Sequence, residues 1–106
     1  MTVLAKLQAL SNETRFKIVN LVREREMTAG TIARRFELTR PAVSQHIAVL
    51  RDAGLLDERR VGAKRLYVVR AESFSELAEY VEAFWRPRLH RLKQVAEAME
   101  RSKSAR

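Results

Sequence analysis

The sequence is 106 residues long, enough for one small domain with a single core. It carries 21 Lys and Arg against 13 Asp and Glu, a net charge of +8 that favours a polyanionic partner such as nucleic acid or an anionic membrane. Cysteine is absent, which excludes disulfides, thiolate metal centres, cysteine nucleophiles and thiol redox sensing.

With only three Gly and two Pro, little of the chain is left for long loops, and a mostly helical domain is expected. The opening MTVLAKLQAL has no signal-peptide pattern, and no apolar run reaches the ~18 residues that span a bilayer, so the protein reads as cytoplasmic with no membrane partner. Leu4, Leu7 and Leu10 mark a short first helix over about 2–10. Ser11 then stands where an N-cap would start a second helix, with Phe16, Ile18, Val19, Leu21 and Val22 on a wide apolar face. Thr28 caps a third helix, flanked by Met27 and Ile32 as a hydrophobic staple, and the same signature returns at Thr39 with Leu38 and Val43. Pro41 falls in the first turn of that fourth helix, where its missing N–H costs nothing. The helix buries Val43, Ile47 and Leu50, ends at Gly54 with Leu55 folding back on Leu50, and turns Arg40, Ser44, Gln45, Ala48 and Arg51 outward.

Beyond Gly54 the period changes from helical to alternating, and Gly62-Ala63-Lys64 divides two runs into a hairpin with a basic tip. From about 72 to 100 the helical period returns, with Trp85, Leu89, Leu92, Ala96 and Met99 spaced alternately by four and three, as in a coiled-coil seam. Pro87 interrupts it, which predicts a kink or a restart. Residues 101–106 read as a disordered basic tail.

Two helices joined by a tight turn and followed at once by a hairpin form the order of a winged helix-turn-helix, here α-α-α-α-β-β-α, with the helix-turn-helix at about 28–53 and the wing at about 55–69 of one domain over 1–100. In that arrangement Ser44 and Gln45 suit base edges, Arg40 and Arg51 suit phosphates, and Arg59, Arg60, Lys64 and Arg65 line the wing. His46 suits either a phosphate or the helix junction. It lies about 200° around the helix from Ser44, so the two cannot form a nucleophile–base pair. No phosphate-cradling Gly-rich loop, paired carboxylate motif or metal-ligand cluster occurs, and no enzymatic activity is expected.

These residues resemble a known family. Leu10-Ser11-Asn12-Glu13-Thr14-Arg15, the run Pro41 to Leu50 with Ser44-Gln45-His46 at its centre, and Ala53-Gly54-Leu55-Leu56 are similar to the ArsR-type winged-helix repressors of bacteria. The resemblance implies a homodimer held by the first and last helices, and repression by occupying a promoter. Phe84-Trp85-Arg86-Pro87-Arg88-Leu89 further resembles the branch that lacks metal ligands and often represses its own gene. The metal-sensing members carry ligand pairs in the third or last helix. Here the third helix reads Thr28-Ala29-Gly30-Thr31-Ile32 and His90 stands with Lys93 where a second ligand would be needed, so no metal or other cofactor is expected. The signals left to release such a repressor are an organic ligand, a partner protein, or none beyond autoregulation.

The last helix splits electrically, with Glu72, Glu76, Glu79 and Glu82 before Arg86, Arg88, Arg91 and Lys93, so a crossed partner helix could set one block against the other. Leu4, Leu7, Phe84, Trp85, Leu89, Leu92 and Met99 exceed what one small core can absorb and form the expected dimer interface. Two copies would read an inverted-repeat operator in double-stranded DNA with half-sites about one helical turn apart. A winged-helix adaptor binding an acidic protein partner is the alternative that charge and fold leave open.

Overall fold

Every helix before the wing starts on a short polar side chain whose oxygen accepts a backbone N–H three residues on: Thr2 from Ala5, Asn12 from Arg15, Thr28 from Thr31 and Thr39 from Ala42, at 3.0–3.2 Å. In the computed structural model, which describes residues 2–104, these caps open α1 (Val3–Leu10), α2 (Glu13–Glu24), α3 (Ala29–Phe36) and α4 (Arg40–Asp52). The strands β1 (Leu56–Val61) and β2 (Lys64–Val69) follow, and then the long α5 (Ala71–Ser104). The cap of α2 is Asn12, not Ser11. Ser11 keeps a helical backbone and closes α1 by donating its hydroxyl to the Gln8 carbonyl at 2.7 Å, so the extended conformation that a cap needs first occurs at Asn12.

The core gathers Ile18, Val19 and Val22 of α2, Ile32 of α3, Val43, Ile47 and Leu50 of α4, and Leu55 and Leu56 at the root of the wing. Phe16, expected on the apolar face of α2, is exposed instead, because the buried face is narrower than five apolar residues. The strands pair antiparallel from Leu56↔Val69 to Val61↔Lys64, so Lys64 belongs to β2 and the turn is the two residues Gly62-Ala63. Gly62 has φ of 62°, a left-handed value that a side chain would resist, at the first central position of the turn. Outside the two strands, Met27 bridges to β2 by accepting the Tyr67 N–H at 2.8 Å and stitches the wing to the segment before α3.

Past Leu77, α5 leaves this core. The molecule measures 70 × 25 × 25 Å with a radius of gyration of 20.0 Å, against about 13 Å for a compact chain of this length, because the free part of α5 projects as a rod. Of the expected kink or restart at Pro87, the restart does not occur: one helix of 34 residues runs through it. Proline deprives only the Ala83 carbonyl of its partner, and on a helix exposed all round that carbonyl stays open to water. The expected disordered tail is likewise helical from Arg101 to Ser104; its last two positions lie outside the described residues.

Candidate nucleic-acid interface

The angle between α3 and α4 is set by a three-residue turn. Glu37 adopts φ 54°, the left-handed conformation, and Leu38 then donates its N–H back to the Ala33 carbonyl at 3.0 Å, after which Thr39 caps α4. The residues of both expected staples join the core: Met27 before α3 and Ile32 within it are buried, as is Val43 of α4, and Leu38 before α4 packs against them. On α4, Val43, Ile47 and Leu50 point inward. The opposite face, Arg40, Ser44, Gln45, Ala48 and Arg51, is exposed, and His46 sits half-buried at its edge. Gly54, φ 76°, ends the helix, with the N–H of Leu55 on the Leu50 carbonyl and that of Gly54 on the Arg51 carbonyl, both at 2.9 Å, a Schellman closure.

That closure aims the wing. Arg70, at the end of β2, donates its backbone N–H to the Leu55 carbonyl at 2.9 Å, and its guanidinium grips both oxygens of Asp57 at 3.0 and 2.8 Å. The hydrogen bond to Asp57, reinforced by its charge, raises the pKa of the Arg70 guanidinium. Between wing tip and helices lies a cleft of about 470 Å³ where Arg34, Arg40, Lys64 and Arg65 converge with Ser44 on the first turn of α3. At Gly30 the missing side chain makes room: a Cβ there would stand 3.3 Å from an Arg40 guanidinium nitrogen.

The expected cations divide into two sets. Arg51 and Arg65 both pair with Glu58, at 3.3 and 3.0 Å, and Arg59 reaches Glu26 before α3, its Nε at 3.1 Å. Among the described residues no ion pair engages Arg40, Arg60 or Lys64. Ser44 and Gln45, two neutral hydrogen-bonding groups, thus lie on the exposed face of a helix anchored by Val43, Ile47 and Leu50, with the unpaired Arg40 beside them.

Residues 12–58 match the family model of bacterial regulatory proteins of the arsR family. Over 78 residues the chain is 36% identical to an HTH-type transcriptional regulator of Mycobacterium tuberculosis, covering 74% of this chain and 73% of that protein. The chain belongs to the arsR family of bacterial regulatory proteins. The fold agrees: an ArsR-like transcriptional regulator from Rhodococcus superposes with a TM-score of 0.71 at 29% identity, over 89% of this chain and 92% of that one. The homodimeric winged helix-turn-helix DNA-binding domain of a Mycobacterium bovis protein does so with a TM-score of 0.65 at 25% identity, over 78% and 79%. This arsR-family chain is a transcriptional regulator with a winged helix-turn-helix fold.

Two residues lining the cleft of this arsR-family protein escape sequence inspection. Arg34 stands in the last turn of α3, where a cation is explained by the helix dipole, and Gly30 is a glycine inside a helix; only the structure shows that Gly30 lies against Arg40 and that Arg34 lines the same cleft. Leu4 and Leu7 on α1 and Phe84, Trp85, Leu89, Leu92 and Met99 on α5 are all exposed, and so are Tyr80, Val81 and Val95 of α5. Tyr80 and Phe84 meet edge-on with ring centres 5.1 Å apart, and the Arg88 guanidinium lies 5.8 Å from the Trp85 ring. His90 is exposed on α5, and among the described residues no three His, Asp or Glu gather as a metal site. No helix among the described residues is long and apolar enough to cross a membrane.

Proposed function

We propose that this regulator is a homodimeric repressor that places α4 of each protomer in the major groove of an inverted-repeat operator, with the wings on the flanking backbone. The observation that carries this is the exposed face of α4, where Ser44 and Gln45 lie uncovered between Arg40 and the wing cations while Val43, Ile47 and Leu50 anchor the helix from behind. Ser44 and Gln45 read base edges; Arg40, Arg60 and Lys64, free of acidic partners, take phosphates, and half-buried His46 sets the helix edge against the backbone.

Dimerisation follows from α5, whose apolar stripe from Tyr80 to Met99 finds nothing to pack on within its own chain, joined by Leu4 and Leu7 of α1. The homodimeric state of the Mycobacterium bovis domain supports the same assembly here. Two copies give the specificity that one recognition helix lacks, with half-sites about one helical turn apart. Selection from random duplexes followed by mobility-shift titration against excess competitor tests the assignment. A discrete complex on an inverted repeat is expected. Equal shifting of all DNA would leave a non-specific binder, and loss of every band at moderate salt would point to an acidic protein partner.

A further inference from the structure

The wing and the recognition helix meet at one carboxylate. Glu58 is the third residue of β1, opposite Tyr67, and its side chain is only 18% exposed. Each of its oxygens holds a different arginine: Oε2 the Nη1 of Arg51 at 3.3 Å, and Oε1 the Nε of Arg65 at 3.0 Å. Arg51 comes from the last turn of α4 and Arg65 from β2, diagonally across the ladder. Two guanidinium groups converging on one anion is the arrangement by which proteins hold a phosphate, and here the anion belongs to the chain.

We propose that Glu58 is an internal competitor for DNA phosphates that limits how tightly the protein attaches to any duplex. This rests on the assignment of α4 and the wing to DNA. The physical reason is arithmetic of charge. With Glu58 ionised, the trio Arg51, Glu58 and Arg65 presents one net positive charge where the two arginines alone would present two. Each phosphate neutralised by a free cation releases counterions and adds about 0.9 to the slope of log K against log salt, so the two arginines held by Glu58 contribute less than their number. The other face of the wing repeats the device through Glu26 and Arg59, which leaves Arg60 and Lys64 as the wing's uncommitted cations. Because phosphate contacts carry no sequence information, Glu58 sets overall affinity and leaves base discrimination to Ser44 and Gln45.

Glu58→Gln tests this, since glutamine keeps the size and an acceptor oxygen while removing the charge. Affinity for a non-target duplex and for the selected operator should rise together, by about tenfold at ~0.1 M salt for the one net charge gained, and the salt slope should steepen by about 1, with the ratio between the two duplexes unchanged. A second measurement needs no variant: in NMR spectra of arginine side chains, the Nε–H of Arg65 should keep its shift when non-target duplex is added to the intact protein, while that of Arg40 moves. Wild-type slope and affinity in a folded Glu58→Gln protein would overturn the proposal, as would early movement of the Arg65 signal. A Glu58→Gln protein that binds operator more weakly would show that the carboxylate only braces the wing. Failure of the underlying DNA assignment would look different, because Lys64→Gln would then leave the salt slope untouched as well.

Discussion

The ammonium of Lys6, almost wholly buried on α1, is bonded to the carboxylate of Glu76, seventy residues further on, and the pair pins the root of α5 to the core. The hydrogen bond from Lys6, reinforced by its charge, holds the Glu76 carboxyl below the usual carboxylate range. A carboxyl group whose pKa is depressed by folding contributes stability that is complete above its unfolded pKa and is lost as the pH falls through the folded value. Glu76→Gln should therefore melt well below wild type at pH 7, and the two should converge in strongly acidic buffer once Glu76 itself is protonated. A gap between their melting temperatures that stays constant with pH would show that the charge of Glu76 is immaterial.

Glu37 is the single described residue other than glycine with a left-handed backbone, and it carries the turn between α3 and α4. Glycine adopts that conformation without the side-chain penalty, although it also loosens the unfolded chain. Glu37→Gly should raise stability by about 0.5–1 kcal/mol, seen as a higher denaturant midpoint at unchanged m-value. A lower midpoint would mean that the Glu37 side chain offsets its backbone strain in some other way.

Gly30 calls for the opposite sort of trade. Alanine is the better helix former, by about 0.5–1 kcal/mol, so Gly30→Ala should stabilise α3. Its methyl group would press on the Arg40 guanidinium, 3.3 Å away, and shift that cation by a few tenths of an ångström. DNA binding should weaken by several-fold while the melting temperature rises, a divergence that calorimetry and a binding titration on the same preparation would expose. Parallel changes in the two would separate Gly30 from Arg40.

The caps and staples at Thr28 and Thr39, the inward trio Val43, Ile47 and Leu50, and the Gly54 closure were legible in the sequence because each rests on contacts within a few residues. What escaped depends on distance or on a balance of small terms. The choice of Asn12 over its neighbour Ser11 turns on one backbone angle, and the survival of α5 through Pro87 on solvent reaching one carbonyl. The spacing of Arg51, Arg59 and Arg65 marked them as basic but could not show that Glu58 and Glu26 lie against them, since those pairs join separate elements.

Gln45 and the wing cations should separate cleanly in binding assays. Gln45→Ala should cost about 1–3 kcal/mol on the operator and almost nothing on random duplex, because a base-edge contact carries sequence information. Arg60→Ala or Lys64→Ala should weaken binding to all sequences alike and lower the salt slope by about 1 each. Titrations of the three variants at several salt concentrations measure the difference; if both classes altered only the sequence-independent term, α4 would not be the element in the groove.

Trp85 gives the dimer its most direct test. It is the chain's one tryptophan, 53% exposed on a helix face that also bears Phe84, Leu89 and Leu92, so its indole fluorescence reports whatever covers that face. On dilution through the dissociation range the emission of the wild-type protein should shift to longer wavelength as the ring enters water. Trp85→Ala should weaken the dimer by about 3–5 kcal/mol if the partner helix buries the ring fully, and by less if one face stays wet. The variant should then sediment as monomer at micromolar concentration and lose operator binding. Its helical circular dichroism should largely persist, because the core of Ile18, Ile32, Val43 and Leu50 lies elsewhere in the chain. A Trp85→Ala protein that remains a dimer and binds its operator normally would move the interface away from this face of α5.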